Sequence, residues 1–328
     1  MSKFFSSLFS KRNYKHNYLL HISLFIITFI TTILAGLMWT TGQLGPYELK
    51  EIINGLPYAL CILIFLAANE FGHFFASVYH KVKVSLPYFI PFPPIIDFIN
   101  FGTIGAVIKT KSPVPNNKAM FDIGIAGPLA GFAVCIIILI YGFTHLPAVD
   151  YLLKIHPEYY SPDYGKNSYS LIFGDSLVFY FLKTIFTNSA QFIPPMSEIY
   201  HYPFLCVGWF GLFITSMNLI PVGQLDGGHI IYSMFGEKKQ EAISSVAMIG
   251  LLFLGILGLL TAFLNINIDF GWSGWLFWAM VLYFLIKIKH PPVQQFEELD
   301  FKRKVLGYLG IIVFIISFSP APFIITLQ

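Results

Sequence analysis

Long apolar runs alternate along this chain with short segments that collect its charges. The runs lie near Leu19 to Thr41, Pro57 to Tyr79, Ala119 to Leu146, Phe204 to Val222, Ile243 to Leu264, Trp272 to Ile286 and Val305 to Ile325. Each is long enough to cross a hydrocarbon core or close to it, because about 20 apolar residues rising 1.5 Å each span about 30 Å. One connecting segment breaks the pattern. Val82-Lys83-Val84-Ser85-Leu86 alternates, a turn rich in proline follows (Pro87, Pro91, Pro93, Pro94), and then comes Gly102-Thr103-Ile104-Gly105-Ala106-Val107-Ile108-Lys109. Period-two alternation around a proline turn predicts two short strands. The segment is too apolar for a plain loop, and nonhelical backbone at membrane depth is tolerated only where protein buries it or a cavity receives it. The expected fold class is an all-α polytopic membrane protein of about seven transmembrane helices, with a small re-entrant β-hairpin after the second.

Charge sets the orientation. With the amino terminus inside, every Lys and Arg except Lys50, Lys154, Lys166 and Lys183 falls on the cytoplasmic side, as the positive-inside rule requires. The first apolar run follows Lys11, Arg12 and Lys15, spans fully and lacks an evident small-residue cleavage site, so it reads as a retained helix. Hydrophobic residues make up 56% of the chain and charged ones 11%, with a mean hydropathy of +0.69, which excludes a large soluble domain. The small net charge of +3 is spread between apolar runs and gives nucleic acid no basic face. Cys61, Cys135 and Cys206 each sit inside an apolar run, so neither a disulfide framework nor a cysteine metal site is expected. The chain divides into residues 1–56 (amino terminus, first helix and outside loop), 57–228 (core) and 229–328 (carboxy-terminal helices). The outside loop from Pro147 to Pro203 carries an amphipathic stretch, Leu177 to Ile185, suited to the membrane surface.

The chemistry begins with Asn69-Glu70-Phe71-Gly72-His73, in the middle of the second apolar run. A carboxylate at membrane depth costs roughly 2.5 to 3.5 kcal/mol on insertion scales, so Glu70 needs a partner or a task. Asn69, Glu70 and His73 share one helix face by i, i+3 and i, i+4 spacing. The pattern is H-E-x-x-H with asparagine in place of the first histidine. Entering from the outside at Pro57, the helix carries Glu70 roughly 20 Å into a core about 30 Å thick. The fourth run descends in the same direction and ends in Asn218-Leu219-Ile220-Pro221-Val222-Gly223-Gln224-Leu225-Asp226-Gly227, so Asp226 reaches a similar depth. The small-residue stretch Gly124 to Gly131 in the third run reads as helix packing.

These three stretches, the asparagine-containing motif, the hairpin ending Gly102 to Ala106, and Asn218 to Pro221 followed by Leu225-Asp226-Gly227, resemble the site-2 protease family of intramembrane zinc metalloproteases. The resemblance implies zinc held by His73 and Asp226, with Asn69 at the position of the missing histidine ligand. It implies Glu70 as general base and Asn218 as a group that positions the substrate carbonyl. It implies that Gly102, Thr103, Ile104, Gly105, Ala106 and Val107 receive the substrate as an added strand. The partners are then a transmembrane protein substrate and membrane lipid, with no nucleic acid, and the expected location is a bacterial cytoplasmic membrane. A neutral amide oxygen is a poor zinc ligand, so this form is expected to be impaired. Two other classes remain: a natural pseudoprotease that binds transmembrane segments without cutting them, and a transporter, which an intramembrane acid and histidine also suit.

Overall fold

The computed structural model describes residues 17–94, 100–166, 169–188, 190–264 and 270–327; Lys3, Lys11, Arg12 and Lys15 lie outside them. Among the described residues, four helices are long and apolar enough to cross a membrane. Helix α1 (Tyr18–Thr41) starts where the Asn17 side chain accepts from the Leu20 N–H and stops at Gly42, in the left-handed conformation. Helix α2 (Ile52–Tyr79) carries the Asn69 to His73 motif on its buried side. Helix α3 (Asn117–Thr144) is capped by the Asn116 side chain, which accepts from Ala119 N–H at 2.9 Å. The fourth long helix, α8, is described below.

Between α2 and α3 runs a two-stranded antiparallel hairpin, β1 (Tyr88–Pro91) with β2 (Thr103–Val107). The first strand lies later than the alternation at Val82 to Leu86 suggests. Of that stretch only Val84 pairs, as an isolated bridge to Thr110. In a two-stranded ladder each strand keeps one unpaired side, so a segment flanked by prolines can still pair. The register slips at Ile90/Pro91, leaving Ile104 opposite no residue. The hairpin lies along α1: Pro87 O accepts from His21 Nδ1 at 3.0 Å, Gly102 O from Thr31 Oγ1 at 2.6 Å, and Asn100 O from Trp39 Nε1 at 2.8 Å. From the other side Tyr58 of α2 donates to Phe101 O.

A short helix, α4 (Asp150–Ile155), strand β3 (Tyr169–Phe173) and helix α5 (Leu177–Phe186) form the segment before α6 (Pro203–Asn218). The expected amphipathic stretch is α5; it buries Val178 and Phe179 and exposes Leu177, Phe181 and Ile185. After α6 come α7 (Asp226–Phe235), α8 (Glu237–Leu264), α9 (Gly274–Val281, continued by one π-helical stretch, Leu282–Ile286), α10 (Phe301–Ser317) and β4 (Phe323–Leu327). The last apolar run is therefore not one span to Ile325. Pro320 and Pro322 follow the helix end, and the β-branched Ile324, Ile325 and Thr326 pair antiparallel with β3.

The main core joins α2, α3 and α6 through Tyr58, Phe65, Leu139, Cys135 and Phe210, all fully buried. The three cysteines are buried and unpaired, as their apolar setting predicts. At one end of the bundle Asp122 of α3 accepts from His80 Nε2 (2.7 Å) and from Arg303 Nε and Nη2 (2.8 and 2.6 Å), joining α2, α3 and α10.

Candidate active site

Three elements bring the polar side chains together. His73, on the buried face of α2, directs Nδ1 at the Ile123 carbonyl of α3, 2.7 Å away. A carbonyl only accepts, so Nδ1 carries a proton. The ring's Nε2 lies 3.3 Å from Asp226 Oδ2, at the first residue of α7. An imidazole nitrogen and a carboxylate oxygen face each other, an arrangement that a shared proton or a metal cation satisfies. The close approach of α2 and α3 depends on small residues: a Cβ on Gly127 would stand 2.1 Å from His73 Nε2, and Gly124 and Gly131 face His229 and Asn69. From sequence alone this stretch reads only as general helix packing. Its i, i+3, i+7 spacing opposite the motif was the available signal for a site wall.

Glu70 is buried beside them. Asn69 Nδ2 donates to its Oε1 at 2.9 Å, and the backbone amide of Ile108, just past β2, interacts with the same carboxylate. The hairpin thus ends at the acid. Asn69 is turned so that its amide nitrogen serves Glu70, while its Oδ1 is buried with no hydrogen-bond partner. Asn218 is the last residue of α6, in the turn that leads to Asp226. His229, one α7 turn beyond Asp226, pairs through Nδ1 with His290 Nε2 at 2.7 Å. Of the expected side chains, then, Glu70, His73 and Asp226 are gathered at one point with Asn69 at their edge.

Two ligands of one tetrahedral zinc, bound at about 2.0–2.1 Å, lie about 3.3 Å apart. The His73 to Asp226 separation matches this. The orphaned Asn69 Oδ1 is the remaining acceptor, a weak one. The donor set fits zinc with two strong ligands instead of the usual three.

A family model described as Peptidase family M50 matches residues 57–260, which contain Asn69, Glu70, His73, Asn218 and Asp226. A protein of Arabidopsis thaliana named "Probable zinc metalloprotease EGY1, chloroplastic" is 33% identical over 205 residues, 61% of this chain and 34% of that protein. One of Oryza sativa subsp. indica named "Probable zinc metalloprotease EGY2, chloroplastic" is 27% identical over 282 residues, 84% of this chain and 44% of that protein. The chain thus spans less than half the length of these curated relatives. Their names place them in the chloroplast, which lends no support to the bacterial cytoplasmic membrane expected from the sequence. No solved structure matches.

Proposed function

We propose, for a chain that belongs to peptidase family M50, an intramembrane zinc metalloprotease of the site-2 type that hydrolyses a peptide bond within the transmembrane segment of another membrane protein, weakened in this form by Asn69. The observation that carries this reading is the 3.3 Å approach of His73 Nε2 to Asp226 Oδ2 from distant parts of the chain, with Glu70 beside them. His73 and Asp226 hold the metal, and Asn69 occupies the place of the third ligand. Zinc, when bound, supplies Lewis acidity toward a carbonyl and lowers the pKa of water. Glu70 accepts and returns the proton, and Asn218 orients the scissile carbonyl. The contact between Asn69 Nδ2 and Glu70 Oε1 works against this role, because it occupies an oxygen the base needs.

The substrate must unwind, since a helix engages its own carbonyls and shields them. The β1–β2 hairpin offers the replacement. It enters the membrane and returns, held along α1 from His21 to Trp39, and its end reaches Glu70. The remaining apolar segments complete about seven crossings with the amino terminus inside, and residues 57–228 form the catalytic core.

Asn69→His tests the assignment. The expected result is about one zinc per chain at this centre and cleavage of a single-span substrate in detergent, both well above the parent. A revertant that fills this centre yet cuts no substrate favours the pseudoprotease. One that gains no zinc removes His73 and Asp226 from the metal site.

A further inference from the structure

A second convergence of metal-binding groups lies at the opposite end of α6. His156 follows α4, Glu198 precedes a single 3-10 turn, Ile199–His201, and His201 ends that turn just before α6 begins. The helix between this cluster and Asn218 has 16 residues, so about 24 Å separates the two places. His156 Nε2 and His201 Nε2 are 2.9 Å apart, and Glu198 Oε2 lies 3.7 and 3.6 Å from them. Ligands of one tetrahedral zinc keep about 3.3 Å, and these three separations scatter around that value.

The protons argue further. His201 Nδ1 faces the Thr40 carbonyl at 3.1 Å, so it carries the hydrogen and Nε2 carries the lone pair. A single proton between the two Nε2 atoms satisfies them but leaves Glu198 Oε2, which is buried with no hydrogen-bond partner. A cation satisfies all three. Each buried ligand is also held from behind: Tyr164 OH donates to Glu198 Oε1 at 3.2 Å, and Tyr151 OH to the His201 carbonyl at 2.7 Å. Outer hydrogen bonds of this kind orient metal ligands. His156 and Glu198 also border a cavity of about 660 Å³ lined by Tyr159, Tyr160 and Ser197.

We infer that His156, Glu198 and His201 form a second divalent-cation site of the zinc class, separate from the Glu70 centre, with its fourth position open to the tyrosine-lined cavity. Two imidazoles and one carboxylate with an open position is a donor set characteristic of zinc. Bound there, the ion fastens α4 and the start of α6 beside the end of α1, where Thr40 receives His201.

The test uses the full chain in detergent, stripped by chelator and titrated with Zn2+ and with Co2+, whose visible spectrum reports tetrahedral geometry. In a His73→Ala, Asp226→Ala background, one equivalent is expected to bind with a tetrahedral Co2+ band and to raise the melting temperature. Adding His156→Ala, a partly exposed position, or Glu198→Gln should abolish the band and the stabilisation. Tyr164→Phe should weaken binding by about 10- to 100-fold through loss of the outer hydrogen bond. No metal bound in the background, or equal binding by the His156→Ala and Glu198→Gln variants that still melt cooperatively, overturns the site. Neither result depends on whether the Glu70 centre is a protease.

Discussion

Asn69 lacks an imidazole, yet the groups around its position remain placed for one. His73 keeps its Nδ1 bond to Ile123 and its Nε2 toward Asp226, and the Asn69 amide has turned to Glu70. Helix geometry accounts for this persistence, since Glu70 and His73 are positioned by α2 regardless of the neighbour at 69. Gly127 has less freedom. Its Cβ would overlap His73 Nε2, so in an Asn69→His background Gly127→Ala must either push α3 away or rotate the ring. A displacement of 1 Å near reacting groups costs about 100-fold. That loss of cleavage is expected together with weaker zinc binding, read by metal analysis and by initial rates. Normal zinc content and normal rates in this variant would mean that the His73 ring is placed otherwise.

Among the elements, the hairpin carries the sharpest prediction. Ile104 has no partner across the ladder and is 69% exposed, and Val107 is 49% exposed. Gly105, between them, takes φ +110° with open space where a Cβ would stand. The obstacle to a side chain there is thus backbone strain and not crowding. In the Asn69→His background, proline at Ile104 or Val107, whichever turns its N–H to the free edge, should cripple cleavage and leave zinc content unchanged. Alanine keeps the donor and should be mild. Helix-breaking residues in the substrate near the cut should raise the rate. Equal rates for the proline and alanine variants at both positions would show that no substrate strand adds here.

At the scale of the whole molecule, hydrophobicity does not choose which helices touch, because lipid tails are as apolar as the side chains. Packing and a few polar ties do so. Asp122 gathers His80 of α2's end and Arg303 of α10, with the Asp300 cap of α10 also engaging Arg303. These side chains are only partly exposed. Arg303→Met should therefore lower stability by about 1–3 kcal/mol, the cost of removing both guanidinium hydrogen bonds from the Asp122 carboxylate and leaving it with His80 alone. Thermal melts of the solubilised protein measure it, and a double-mutant cycle with Asp122→Asn should return a coupling of similar sign. Additive effects would show that the pair does not hold α10 against α3.

The sequence by itself determined the apolar character of the helices, the buried cysteines, the presence of paired strands after the second helix, and the shared face of Glu70 and His73. These follow from local spacing and length: one helix face fixes Glu70 and His73, and run length fixes the four long apolar helices among the described residues, whereas Asp226 meets them from a different helix. Tertiary structure alone decided the rest. The last apolar run divides into α10 and β4 because a strand far back in the chain, β3, is there to pair with it, and apolar character alone does not tell a buried strand from a helix. The glycines at 124, 127 and 131 wall the site only because α3 lies against α2 and α7. Glu198 and His201 stand at i, i+3, but 45 residues separate His156 from His201, so no local spacing joins the three. What unites them is the docking of α4 beside the start of α6, a long-range contact that no local periodicity encodes.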